Sequence, residues 1–406
     1  MTDNASLLAR DSAAFFHQNG STPALAPLVA ARGAWLTDAD GRRYLDFHGN
    51  SAHSIGHGHP RLIAALHAQL DALPFTPRRY TNEPAIRLAE RLAASAPIAG
   101  KAASGARVLL APGGSAAMEI ALKLARLNTG RHATLGFRRS YHGHGFGALA
   151  AGGDGPAQAA RLGPLGPPAT LVGLFDEAET LAALATGSFA ALVAEPMRAT
   201  PRVAPPGFWA RVRQACDATG TLLLFDEIPT GLGRTGRLFS SEHEGAEPDI
   251  LVLGKALGGG VLPLAAVVAR GDLDPAPELA IGHYTHEKNA LMAQAGLTTL
   301  DILVDEGLPA RAATLGQGVR TRLEAAYPAA TVHGRGLMLG LDFGPESGAM
   351  AQATMRACQV LGLSLKVSAG TTIHLCPPLT IAAAELDQAL DILQAALRES
   401  GQNSFG

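Results

Sequence analysis

Three short stretches place reactive residue types where strands are expected to end. In Asp249-Ile-Leu-Val-Leu-Gly-Lys-Ala-Leu-Gly-Gly-Gly260, Lys255 directly follows an apolar run and precedes glycines. A lysine at the end of a buried strand, lacking polar neighbours, can lose its proton and act as a nucleophile. In Leu224-Phe-Asp-Glu-Ile-Pro-Thr-Gly-Leu-Gly-Arg-Thr-Gly236, Asp226 closes another apolar run. Its carboxylate is expected to be partly buried, and a buried carboxylate needs a cationic partner; a helix cap or loop acid is the plainer alternative. Ala111-Pro-Gly-Gly-Ser-Ala-Ala-Met-Glu119 follows a strand and opens a helix. Glycines let the backbone approach an oxyanion, and free N–H groups at a helix N-terminus favour phosphate. The same residues also serve as an ordinary tight turn.

The elements that must position these residues follow from periodicity. Trp35-Leu-Thr, Asp38-Ala-Asp-Gly41 and Arg43-Tyr-Leu read as strand, turn and strand. Helices follow Pro60, with Leu62, Ile63, Leu66 and Leu70 on one face, and Pro84, with Ile86, Leu88, Leu92 and Ala93. Beyond Gly100, strands at Arg107–Leu110, Ala190–Ala194, Thr221–Phe225 and Ile250–Leu253 alternate with helices at Ser115–Leu127 and Phe208–Ala218. Such alternation predicts an α/β fold with a mainly parallel sheet covered on both faces. Residues 151–175, rich in Gly, Pro and Ala, read as a loop. The expected organisation is an arm and hairpin over 1–45, a large domain over 46–300 and a smaller α+β C-terminal domain over 301–406. The last helix spans Ala383 to Arg398, and Ser400–Gly406 should fray.

Composition excludes several classes. The 406 residues are 47% hydrophobic and 17% charged, with a formal net charge of −2, so extensive disorder is not expected and no basic stripe marks a nucleic-acid surface. Cys216, Cys358 and Cys376 are far apart, which suits a reducing, cytoplasmic setting rather than a disulfide framework. No basic-then-apolar N-terminal segment is visible, and no apolar run reaches the roughly 20 residues that span a bilayer. His57-x-His59 has no Cys or carboxylate nearby at ligand spacing, so no metal is expected.

The three reactive stretches together resemble the class III aminotransferases, enzymes of fold type I that use pyridoxal 5′-phosphate. The resemblance runs from about Trp35 to Leu397 and is most specific over Phe225–Gly260. It implies that Lys255 carries the cofactor as a Schiff base. It implies that Asp226 pairs with the pyridinium nitrogen, keeping the ring an electron sink. Gly114 and Ser115 would hold the phosphate. Tyr141, in Ser140-Tyr-His-Gly143, would stack on one ring face and Ile228 on the other. Thr285, in His283-Tyr-Thr-His286, would reach the neighbouring subunit's phosphate, which implies a homodimer with shared active sites.

Departures from that pattern bear on the reaction. The family usually has arginine before the last Pro-Pro-Leu, where it binds a substrate α-carboxylate; Thr372-Ile-His-Leu-Cys-Pro-Pro-Leu379 puts His374 there. One imidazole cannot form the bidentate pair of a guanidinium. Thr200 stands where many members carry a gating glutamate, Pro229 replaces the usual glutamine, and His286-Glu-Lys-Asn289 replaces Phe-Gly-Gly-Asn. Phe16-His-Gln18, Leu45-Asp-Phe-His-Gly-Asn50, Pro77-Arg-Arg-Tyr-Thr-Asn82, Ala194-Glu-Pro-Met-Arg-Ala-Thr-Pro201 and His283–Asn289 resemble a narrower branch, the (R)-1-hydroxy-2-aminoethylphosphonate ammonia-lyases. That resemblance implies β-elimination of a hydroxyl from a phosphonate-bearing amine, giving phosphonoacetaldehyde and ammonia. Arg78, Arg79, Arg198 and His374 are the expected phosphonate contacts. Each arginine reads equally as a surface or interface ion pair, and His48 and His53 read as structural histidines. An aminotransferase acting on an ω-amine, amino acid or aminophosphonate is the alternative.

Overall fold

The computed structural model describes residues 3–18, 21–22, 24–153, 160–274 and 278–401. A seven-stranded sheet organises it, in the order Ala106–Ala111, Ala265–Arg270, Ile250–Leu253, Leu222–Asp226, Phe189–Ala194, Ala133–Phe137, Ala169–Val172. Only Ala265–Arg270 runs antiparallel to its neighbours. The central strands Phe189–Ala194, Leu222–Asp226 and Ile250–Leu253 are buried along their whole length. Burial on both faces explains why they read as unbroken apolar runs rather than alternating ones. On one side Phe137, Phe175, Phe208, Trp209 and Phe225 meet edge to face, with Trp209 and Phe225 centroids 4.8 Å apart. Each such ring stabilises the fold by about 2–3 kcal/mol through apolar burial.

The structure corrects three expectations. Residues 151–175 are not simply a loop: Ala169–Val172 is an edge strand parallel to Ala133–Phe137, while 154–159 lie outside the described residues. Along the helix Pro60–Ala72 only Leu62 and Leu66 are buried, whereas Ile63 and Leu70 face outward with Ile86 of Glu83–Ser95. Both helices pack on the helix Ala290–Asp305, which covers only a narrow stripe of each. Ser400 continues the helix Ala383–Gly401 rather than fraying, and 402–406 lie outside the described residues.

Two small sheets complete the architecture. Thr331–Arg335, Met338–Asp342, Thr372–Leu375 and Lys366–Ser368 form an antiparallel sheet in that order. The expected hairpin, Trp35–Asp38 with Arg43–Asp46, is joined by Leu28–Arg32 and by Leu363–Ser364, which runs parallel to Arg43–Asp46. A strand from late in the chain thus completes the sheet of the N-terminal hairpin. Among the described residues, no helix is long and apolar enough to cross a membrane.

The link from residue 46 to residue 57 is a buried polar knot. Asp46 accepts the amides of His48 and Gly49 at 3.0 and 2.8 Å and the His57 Nε2 hydrogen at 2.9 Å. His53 Nε2 donates to the Asp46 carbonyl at 3.2 Å. Thus a carboxylate does lie beside His57, contrary to the reading from local spacing; chain reversal brings it there, and ligand-type atoms of Asp46, His53 and His57 lie within 4.8 Å of one another. The hydrogen bonds above engage the Asp46 carboxylate and both Nε2 atoms, and His53 Nδ1 is buried with no partner among the described residues. Burial drives the His53 imidazole down to about 4; the Asp46 charge opposes this and Arg234 reinforces it. The unfolded chain takes up this proton below about 6.5 and the native one only below about 4, so the stability contributed by neutral His53 is present above pH 6.5 and lost as pH falls to 4. Its full size is about 3 kcal/mol. In urea titrations between pH 4 and 7, His53→Leu should therefore show a flatter decline on acidification than the parent; equal slopes would remove His53 from this role.

Candidate active site

The carboxyl ends of parallel strands in an open α/β sheet are where ligands bind, and the reactive residues converge there. Ala106–Ala111 leads into the helix Gly114–Thr129, Leu222–Asp226 ends in Asp226, and Ile250–Leu253 leads through Gly254 into Lys255. Lys255 holds φ at +43° although it carries a side chain. Such strain costs on the order of 1–3 kcal/mol and persists where the surroundings enforce it, often at working sites.

Ile228 is the hub of the cluster. A Cβ placed on Gly114 would lie 2.9 Å from its Cδ1, and one on Gly254 would lie 3.2 Å from its Cγ2. The side chain therefore lies between the turn that opens the helix and the residue before Lys255. Pro229 follows, and Asp226 Oδ1 accepts the Ile228 amide at 3.0 Å, which fixes the turn.

Asp226 is 2% exposed, and its Oδ2 meets Nδ1 of His142 at 2.9 Å. His142 is buried too, and among the described residues its Nε2 has no hydrogen-bond partner. Its sequence signal is slight, an imidazole following an aromatic in a Gly-rich turn. The turn is pinned to the helix Gly114–Thr129 from two points. Ser115 Oγ accepts the His144 amide at 3.1 Å, and Glu119 accepts the Ala148 amide at 2.9 Å. Gly143, at φ +121°, passes so close that a Cβ would lie 2.6 Å from Ser115 Oγ. Tyr141 keeps its ring 55% exposed at this site, and partial burial with the nearby Asp226 charge raises its hydroxyl above the usual range.

The donor set fits a phosphorylated pyridine aldehyde. The first-turn amides of a 16-residue helix lack intrahelical partners and can receive a phosphate beside Ser115. The buried anion Asp226 can face a protonated ring nitrogen, the aromatic Tyr141 and the aliphatic Ile228 offer two flat surfaces, and Lys255 supplies the amine.

The other predicted residues fall elsewhere. Arg198 is buried, with its guanidinium bonded to Glu195 and to the Arg139 carbonyl. These bonds brace the turn before Tyr141. Arg78, Arg79 and Thr285 are exposed. Their segments pack together, through Asn82 Nδ2 on the Lys288 carbonyl at 2.8 Å and Phe75 against His286 at 5.2 Å. Among the described residues, no hydrogen bond or ion pair joins them to the Asp226 cluster. His374 is 1% exposed in the small sheet; its Nδ1 meets Ser368 Oγ at 3.2 Å, and its Nε2 has no partner. Two further residues escaped the sequence reading. Lys366 lies directly across from His374 in the sheet. Fully buried Arg234 holds Pro377, Leu337 and Ser54 together, clamping the Cys376-Pro377-Pro378 turn to residue 54.

Comparison with known proteins places this geometry. A family model described as aminotransferase class-III matches residues 16–397. The chain is 35% identical to the (R)-1-hydroxy-2-aminoethylphosphonate ammonia-lyase of Vibrio splendidus, over 96% of this chain and 89% of that one. It is 38% identical to the acetylornithine aminotransferase of Mycobacterium bovis, covering 93% of each. Among solved structures, the ornithine aminotransferase of Toxoplasma gondii superposes with a TM-score of 0.89 at 28% identity, covering 99% of this chain and 96% of that one.

Proposed function

The chain belongs to the class III aminotransferase family and is a pyridoxal 5′-phosphate-dependent enzyme, and from that premise we propose that it is an ammonia-lyase acting on (R)-1-hydroxy-2-aminoethylphosphonate. The observation that carries the reading is His374. It stands where the family resemblance calls for a carboxylate-binding arginine, it is buried, and one ring nitrogen cannot grip a carboxylate bidentately. An enzyme that cycles through α-oxo acids relies on that grip; an elimination that needs no oxo-acid acceptor does not. The 35% identity to a named lyase of this kind, over nearly the whole chain, supports the same reading.

When bound, the cofactor supplies an electron sink for the carbon next to the substrate nitrogen. Asp226 holds the charge that keeps that sink effective, with His142 fixing its orientation. Gly114 and Ser115 anchor the phosphate, and Tyr141 and Ile228 set the plane of the ring. Lys255 Nζ takes the proton from the carbon bearing nitrogen. The hydroxyl on the adjacent carbon then leaves with a proton returned by Lys255. The released enamine tautomerises, and water replaces its nitrogen, giving phosphonoacetaldehyde and ammonia. We assign Thr285 to a partner subunit's phosphate in a homodimer. Exposed Ile63, Leu70, Phe75, Tyr80 and Ile86 on the same chain support such an interface, which would also bring Arg78 and Arg79 toward the partner's site.

The experiment follows ammonia and aldehyde from the hydroxyaminophosphonate with no oxo acid present. Release over many turnovers is expected. A single stoichiometric turnover that cycles only after pyruvate is added would reject the lyase and favour an aminotransferase, the reading that the 38% identity to acetylornithine aminotransferases favours.

A further inference from the structure

Lys366 and His374 are direct partners on adjacent antiparallel strands, so their side chains emerge on the same face about 5 Å apart at Cβ. Ser368, two residues along, shares that face and meets His374 Nδ1 at 3.2 Å. This hydrogen bond leaves His374 Nε2, in a residue 1% exposed, as the unpartnered nitrogen. Lys366 itself has no hydrogen bond or ion pair among the described residues, although it is partly buried.

The carboxylates within electrostatic reach are already engaged. Glu195 accepts from Arg198 and from the Ala199 amide. Asp46 accepts from His57 and from two amides. Cys376, also within reach, is a buried thiol beside Ser51. Burial, helped by the neighbouring Lys255 charge and opposed by Cys376 and Glu195, pushes the Lys366 ammonium below its usual range. Burial, then Lys366, His48 and Arg234, pushes His374 well below its own. His48 is lowered in the same way by burial and by Lys366. Basic groups crowded together without a free counter-ion are stabilised by any anion that enters among them. Met197, just past the carboxyl end of the strand Phe189–Ala194, packs with Met338 of the small sheet and Cys376 at its end, which sets this crowding on the carboxyl-end side of the large sheet, where Lys255 lies.

We propose that Lys366, with Ser368 and His374 beside it, is the subsite that receives the tetrahedral oxyanion of the substrate, in place of the missing arginine. The inference rests on the lyase reading for the identity of that anion as a phosphonate. A lysine is a point charge with three rotatable donors, suited to a tetrahedral dianion, whereas the planar fork of arginine matches a carboxylate. With His374 in the arginine's place, the cation on offer is Lys366 on the neighbouring strand, which suits a tetrahedral anion better than a planar one.

The test measures binding without turnover. Calorimetric titration of cofactor-saturated enzyme with methylphosphonate, and separately with acetate, gives the affinity of each anion. Methylphosphonate should bind more tightly than acetate. Lys366→Gln should weaken methylphosphonate by roughly tenfold to a hundredfold, the size of one lost charge-assisted hydrogen bond. Lys366→Arg, which keeps the charge in the same half-buried place, should retain most of the methylphosphonate affinity and lose part of its advantage over acetate. Unchanged methylphosphonate binding in Lys366→Gln, no binding to the parent, or tighter binding of acetate by the parent would each overturn the proposal. If Lys366→Gln does not fold, loss of methylphosphonate affinity in Ser368→Ala decides instead, and its retention there counts against the subsite. A protein that binds methylphosphonate through Lys366 yet releases no ammonia keeps this inference and loses the lyase reading. One that releases ammonia while Lys366→Gln binds methylphosphonate normally does the reverse.

Discussion

Lys255→Ala will fold and bind pyridoxal 5′-phosphate but will no longer hold it covalently. The cofactor will leave on dialysis, borohydride reduction will add no cofactor mass to the chain, and turnover will fall about a thousandfold or more. The expectation of a folded variant comes from the backbone. Lys255 sits at φ +43° between Gly254 and a short 3-10 turn ending at Gly258. Alanine meets the same strain there as lysine does, so removing the side chain does not add to it. A glycine would relieve the strain, and Lys255→Gly should be at least as stable as Lys255→Ala while equally inactive. Turnover near the parental rate in either variant would remove Lys255 from the chemistry.

What was legible in the sequence was whatever the chain encodes locally. Buried parallel strands announce themselves as unbroken apolar runs, and Lys255 and Asp226 are visible because each breaks such a run at its end. The strand Ala169–Val172 was hidden because its four residues sit beside a Gly- and Pro-rich stretch and at a sheet edge, where only Val172 of the four is buried. The buried pairing of Arg198 was not legible because one partner, the Arg139 carbonyl, lies 59 residues away in sequence. Lys366 drew no notice for a related reason: a lone lysine in Leu363-Ser-Leu-Lys-Val367 looks like a solvated edge residue until the antiparallel register puts it opposite His374. The helix Pro60–Ala72 shows another limit of periodicity. It marks where apolar residues lie but not which partner covers them, and Ile63 and Leu70 stay exposed.

Asp226→Asn separates the electrostatic role of this residue from its structural one. The carboxylate is 2% exposed, with one oxygen on the Ile228 amide and the other on His142. An asparagine carbonyl can keep the Ile228 contact at nearly the same volume, and the side-chain amide can donate to a His142 nitrogen in the opposite tautomer. The fold and the Ile228 turn should therefore survive, with a melting temperature near that of the parent. What disappears is the negative charge. A buried anion facing a protonated ring nitrogen favours the charged ring, and a neutral amide does not, so the proton on that nitrogen is lost at neutral pH. Turnover should fall about a hundredfold to a thousandfold, the scale seen when one preorganised electrostatic partner is removed, and the absorbance of the bound cofactor should shift. If Asp226 served only to anchor His142, the same substitution would spare turnover as well as the melting temperature. Asp226→Ala should then be the worse of the two for stability alone, because it leaves His142 Nδ1 as well as Nε2 buried without a partner, at a cost of about 1–3 kcal/mol. Measuring kcat and melting temperature on both variants distinguishes the two roles. Loss of turnover in Asp226→Asn at an unchanged melting temperature identifies the charge as what the reaction uses.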